Sequence, residues 1–150
     1  MIDRSSIGRE FPAVQARVEA DGVRAFARSI GETDPIYFDH DAAVARGYRG
    51  IPAPPTYAFC LKLNTVSPEH TLESLGVHAG SGQLLHAEQS FSYKQPICVG
   101  DELTFRERVA DVYEKKGGSL IFIVLETIVS NSQGQEAQRI RHTEVLRVDA

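Results

Sequence analysis

The chain has little of what several functional classes require. Only two of its 150 residues are cysteines, Cys60 and Cys98. That is too few for a disulfide framework, and a metal site would need more ligands clustered around them, so reduced thiols are expected. Positive charge is not in excess: the net charge is -4, which argues against general binding to nucleic acid or to an anionic membrane. No apolar run opens the sequence. Met1 to Glu10 is polar and charged, unlike a secretion signal, and a cytoplasmic location is expected. There is no internal repeat and no low-complexity tract. What remains, 24% charged and 42% hydrophobic residues, is ordinary for one globular domain over residues 1–150, long enough to bury a core without staples.

One stretch stands out against that plain background. Pro54-Pro55-Thr56-Tyr57-Ala58-Phe59-Cys60-Leu61-Lys62-Leu63-Asn64-Thr65-Val66, wound as a helix, carries apolar side chains on nearly every side. After its first turn only Lys62, Asn64 and Thr65 are polar. A helix of this kind belongs inside something. At roughly 12 residues it is far short of the ~20 that cross a bilayer, so the surroundings are expected to be protein. Pro55 suits the first helical position, and Ser67-Pro68 is expected to stop the helix.

Before it, Phe11 to Glu19 alternates weakly and predicts a first strand, with Pro12 confining it to an edge. Asp21 is placed to cap a helix carrying Val23, Phe26, Ala27 and Ile30 on one face, ending at Gly31. Pro35 prevents that helix from continuing through the acid-rich Glu32 to Asp39. Asp39 or Asp41 caps a short helix that closes at Gly47. Ser67 to Gly82 reads as a connection holding one short helical turn near Leu72 to Leu75. Strands follow. Alternation over Leu84 to Tyr93 places Leu85, Ala87, Phe91 and Tyr93 on one face and His86, Glu88, Ser90 and Ser92 on the other. Cys98 to Asp101 is read as the next reversal. Leu103, Phe105, Val109 and Tyr113 line one face of a long strand and Arg106 and Arg108 the other. Leu120 to Leu125, apolar on both faces, predicts mid-sheet, and Asn131 to Gly134 turns into a last strand. The expected fold is α+β: about four long strands in hairpin succession, forming an antiparallel sheet wrapped around the central buried helix, the hot-dog architecture.

Three groups of residues in this order carry a resemblance. They are Gly31-Glu32-Thr33-Asp34-Pro35-Ile36-Tyr37-Phe38; Gly47 to Thr56; and Leu85-His86-Ala87-Glu88-Gln89 with Tyr93, Pro96, Gly100 and Asp101. Together they resemble the MaoC-like dehydratases, in the branch of N-terminal hydratase domains and mycobacterial 3-hydroxyacyl dehydratase subunits. The resemblance implies an (R)-specific enoyl-thioester hydratase or 3-hydroxyacyl-thioester dehydratase acting on acyl-CoA or acyl carrier protein. Such chemistry needs an acid/base and oxyanion stabilisation and no cofactor. It also implies a homodimer, or a heterodimer with another hot-dog chain.

The chain departs from the family's Gly-Asp-x-Asn-Pro-x-His loop at three positions. Glu32 stands for the Asp, Asp34 for the Asn and Tyr37 for the His. Glu32 could still serve as acid/base; Tyr37, with an ordinary pKa of about 10, is a donor at neutral pH. Where relatives offer a glycine N–H to the thioester oxygen, Pro55 has none, leaving Thr56 or Tyr57 to bind the substrate. Hence Glu32 is the first candidate base and His86 the second. The plainer readings are that Glu32, Asp34 and Asp39 cap the next helix, that His40 belongs to that cap, and that His86 is a hydrogen-bonded residue of an interface. No serine has a histidine partner at a defensible spacing. Two competing functions stay open: a subunit that holds the acyl thioester while a catalytic hot-dog partner acts, and, least favoured for want of a carboxylate on the central helix, a thioesterase.

Overall fold

The computed structural model describes residues 4–66, 68–77 and 82–148, and within these the side chains of 68–70 are excluded. Five antiparallel strands form one sheet: β1 (Val14–Arg17), β2 (Gln83–Tyr93), β3 (Glu102–Lys115), β4 (Leu120–Ser130) and β5 (Glu136–Arg147). Their spatial order is β1-β3-β4-β5-β2. The long apolar run is β4, the middle strand, as its two-faced apolar pattern requires. Helices α1 (Ala20–Ser29), α2 (His40–Ala45), α3 (Tyr57–Leu63) and α4 (Pro68–Ser74) pack around this sheet.

Helix α3 is the central one. Its Tyr57 and Ala58 are buried in one cluster with Leu103, Phe105, Val129 and Ile140 of the sheet's inner face. Tyr57 N–H donates to Pro54 O at 2.9 Å, and the helix starts at Tyr57 with Thr56 as its N-cap, so Pro55 lies just ahead of the helix and not at its first position as expected. The helix ends at Leu63, several residues before Pro68, and Pro68 opens α4 instead of merely ending α3. Ser67 lies outside the described residues. The expected short turn near Leu72 is thus a seven-residue helix, whose Leu72 closes a second core cluster with Val109, Ile123, Leu125 and Leu146. Helix α1 begins at Glu19 without a side-chain cap, and Asp21 sits inside its first turn.

Four expectations about the strands need correction. The first strand is shorter than Phe11 to Glu19. Strands β2 and β3 are not a hairpin: β2 pairs with β5, and the 94–101 connection crosses the width of the sheet to reach β3. That crossing is what allows β2 to be an edge. A bulge between His86 and Glu88 moves the faces of β2, so that His86 opposes Glu144, Gln89 opposes His142, Phe91 opposes Ile140 and Tyr93 opposes Gln138 on the inner face, while Glu88, Ser90 and Ser92 point outward. His86 therefore does not share a face with Glu88. A second bulge, between Val109 and Asp111, turns Tyr113 to the outer face, where it stacks on Phe122 with ring centroids 4.7 Å apart.

Gly82, at φ +142°, immediately precedes β2, where an added Cβ would lie 2.0 Å from the Arg147 carbonyl oxygen. Only glycine allows that approach.

Candidate functional site

The connection after β2 and the segment before α3 run antiparallel. Ala53 N–H donates to Ile97 O and Val99 N–H to Ile51 O, both at 2.8 Å. Beside them opens a cleft of about 320 Å³, mostly apolar, lined among others by Tyr37, Tyr48, Pro55, Ala58, Tyr93 and Gln138. Its floor is fixed by Gln138, 2% exposed, which donates Nε2–H to the Pro55 carbonyl at 3.0 Å. Burial first, then the nearby Glu32, raises the Tyr37 phenol above its ordinary value. Tyr37 therefore meets the cleft as a protonated donor at neutral pH.

The loop that carries Tyr37 is built by its own carboxylates. Glu32 Oε1 accepts from the backbone N–H groups of Thr33 at 3.1 Å and Asp34 at 3.4 Å. Asp34 Oδ1 accepts from Ile36 N–H at 3.1 Å and caps the 3-10 turn Pro35–Tyr37, and Asp39 Oδ1 accepts from Ala42 N–H at 2.7 Å to cap α2. These bonds serve the capping reading of the acid-rich loop. Of the two donors considered near Pro55, the Tyr57 N–H is engaged by Pro54. Tyr57 also turns its ring to the core, edge-on to Phe26 at 5.5 Å between centroids. Thr56 is exposed beside the cleft.

His86 is elsewhere. It lies on the inner face at the far end of β2, its Nδ1 3.3 Å from Glu144 Oε1, its ring stacked parallel on His142 at 5.9 Å and Phe59 edge-on to both. From there a buried polar belt crosses the sheet between the two apolar clusters. Glu107 of β3, 7% exposed, accepts from Thr127 Oγ1 at 2.8 Å and from the Lys62 ammonium, which α3 lowers into the belt at 6% exposure. Lys62, an outlying polar position in the helical pattern, is thus among the most buried residues of α3. The sequence reading passed over Glu107, His142 and Glu144. The available signal was a charge in step with apolar neighbours: Leu103, Phe105, Glu107, Val109.

Burial, with Lys62 and His86 nearby, lowers the His142 pKa to about 3, while burial raises that of Glu144 against the opposing pull of His86 and Lys62. His142, 4% exposed, has no partner for Nδ1 among the described residues. A base whose folded value lies below its unfolded one contributes stability that is present above the unfolded value and lost as pH falls toward the folded one. Glu144 acts in the opposite sense, losing stability as pH rises. Stability is expected to drop by up to about 1.4 kcal/mol per pH unit from His142 as pH falls from ~6.5 toward ~3. Urea titrations at several pH values check this, and His142→Gln should flatten the slope; an unchanged slope would refute the assignment.

Among the described residues no group of side chains is arranged as a metal site, and no helix is long and apolar enough to cross a membrane. Residues 5–139 match the family described as FAS1-like, dehydratase domain region. A UPF0336 protein of Clavibacter michiganensis subsp. michiganensis is 32% identical over 143 residues, covering 95% of this chain and 93% of that protein. Among solved structures, a chain of the C-terminally truncated HadBC (3R-hydroxyacyl-ACP dehydratase) complex of Mycobacterium tuberculosis superposes with a TM-score of 0.78 at 23% identity, over 93% of this chain and 96% of that one. A MaoC-like dehydratase superposes at 0.81 with 24% identity, over 96% of this chain but 43% of the other. At these identities the two structures establish the hot-dog fold.

Proposed function

The chain belongs to the FAS1-like dehydratase domain region family, and on that premise we propose that it is an (R)-specific enoyl-thioester hydratase, or in reverse a 3-hydroxyacyl-thioester dehydratase, on acyl-CoA or acyl carrier protein. The observation that carries this reading is the cleft in which Tyr37, the start of α3, Tyr93 and Gln138 converge. Its apolar walls suit an acyl group. In this reading the hydroxyl of Tyr37, a residue of the cleft wall, donates to the thioester carbonyl oxygen, where negative charge develops as water adds to C3. No cofactor is required for that addition.

A second reading has its own support. With Glu32 engaged by two backbone N–H groups, with tyrosine at position 37 and with no N–H on Pro55, a single chain lacks an evident base inside its own cleft. This favours an acyl-thioester-holding subunit of a hot-dog pair. The discriminating experiment is hydration of crotonyl-CoA and longer enoyl-CoAs by the purified protein, with binding measured in parallel. Turnover is the expected result. Binding without turnover would replace the hydratase with the holding subunit, and the absence of both would remove the acyl thioester altogether.

A further inference from the structure

The cleft contains a buried polar side chain whose hydrogen-bonding groups are mostly unused. Gln138 lies on the inner face of β5, between Val129 of β4 and Tyr93 of β2, and is 2% exposed. Its Nε2 donates to the Pro55 carbonyl at 3.0 Å. Because a carbonyl oxygen only accepts, that bond fixes which end of the amide faces the start of α3. The same nitrogen carries a second N–H, and the amide oxygen carries two lone pairs. Neither group has a partner among the described residues. The inner-face neighbours Val129 and Ile140 are apolar and fully buried, so the core offers them nothing. A tie to Pro55 needs one N–H; the rest of the amide, buried and lining the cleft, calls for another explanation.

The position of that amide matters because of what the backbone beside it lacks. Pro55 has no N–H, and the Tyr57 N–H is taken by the Pro54 carbonyl at 2.9 Å. Gln138, hydrogen-bonded to Pro55 itself, brings a side-chain N–H to the same place. Its first bond holds the amide plane, so the second N–H is oriented before any ligand arrives. A neutral donor held in this way in a mostly apolar cleft stabilises developing negative charge more than the same donor does in water.

We infer that Gln138 is an oxyanion donor of this cleft, its second N–H and the Tyr37 O–H together holding the thioester oxygen. This rests on the acyl-thioester reading and deepens it. As the oxygen of water bonds to C3, the C2–C3 π pair moves toward the carbonyl, and the thioester oxygen gains negative charge. The Gln138 N–H bond to it strengthens, with no proton transferred from the amide. The pair then returns to C2, which takes the proton that water lost, so atoms and charge balance. Gln138 thus supplies from β5 the donor that a proline at position 55 denies to the backbone.

The test reads the carbonyl directly. Butyryl-CoA cannot be hydrated, and infrared difference spectra of the bound ligand with carbon-12 and carbon-13 at its carbonyl isolate the C=O stretch, which falls in frequency as the oxygen accepts hydrogen bonds. On the wild type the band should lie below that of the thioester in an apolar solvent. Tyr37→Phe should keep part of the shift, Gln138→Met should reduce it, and the double variant should abolish it. Loss of the whole shift in Tyr37→Phe overturns the inference, and this arm needs no substitution at 138. A folded Gln138→Met with an unchanged band overturns it too. In crotonyl-CoA hydration Gln138→Met should lower kcat about 10²-fold. KM should stay within about threefold, so that kcat and kcat/KM fall together. A role confined to tying down Pro55 predicts instead a loss of stability and a raised KM with kcat retained, and that pattern overturns the donor. The two readings fail separately: a wild type that polarises butyryl-CoA through Gln138 without hydrating crotonyl-CoA removes the hydratase and supports the donor. Turnover with a band indifferent to Gln138 removes the donor and keeps the hydratase, and a wild type that binds no acyl-CoA overturns both.

Discussion

Replacing Lys62 by methionine is expected to lower folding stability by about 3–5 kcal/mol, because it leaves the Glu107 carboxylate buried with no cation. Glu107 would keep only the Thr127 hydroxyl, 2.8 Å away, as a donor. The native pair is not thereby worth that much. Desolvating two charges offsets most of their attraction, so removing both should be far milder. Lys62→Met combined with Glu107→Gln retains an acceptor for Thr127 and restores the methylene packing of the lysine stem. It should recover to within about 1–2 kcal/mol of wild type. Urea denaturation of the two single variants and the double one gives the coupling directly. A loss below about 1 kcal/mol in Lys62→Met would mean that Glu107 finds water or another donor, and the pair would not be the tie between α3 and the sheet.

How much of this was legible in the sequence depended on whether a local rule was sufficient. The existence of α3, though not its ends, the caps at Asp34 and Asp39 and the central β4 follow from local pattern, because each reflects a short-range requirement: an all-round apolar stretch, an orphan donor at Ile36 or Ala42, an apolar run between two sheet neighbours. The faces of β2 and β3 followed only on one side of each bulge. Each strand carries one bulge, and one extra residue inverts every later side chain; nothing in Ala87 or Ala110 marks it. The order of the strands was hidden for a different reason. Residues 94–101 look like a tight reversal, but they pair with the segment ahead of α3 across more than 40 positions of sequence, a partnership no local pattern records. The polar belt combines both effects. Glu107 and Lys62 each look misplaced alone, and become intelligible only when the helix is laid across the third strand.

The loop and the belt make opposite claims on catalysis, and two substitutions separate them. Glu32→Gln keeps an oxygen to accept from Thr33 and Asp34 N–H, so if Glu32 only shapes the loop the hydration rate should remain within about fivefold of wild type. His86→Asn keeps a group near Glu144 that can donate a hydrogen bond but cannot shuttle a proton, and should lower kcat by about 10²–10⁴-fold. If His86 is the base it acts on water and not on the acyl chain, so KM should move little, and kcat and kcat/KM should fall together, as for an interaction made only in the transition state. A merely structural role for His86 predicts instead a loss of stability, through the stacked His142 and the edge contact of Phe59, with the rate per folded molecule retained. Measuring both variants by urea denaturation alongside the assay keeps those cases apart. If Glu32→Gln falls by 10²-fold and His86→Asn stays near wild type, the acid-rich loop carries the base after all, and the belt is a structural tie.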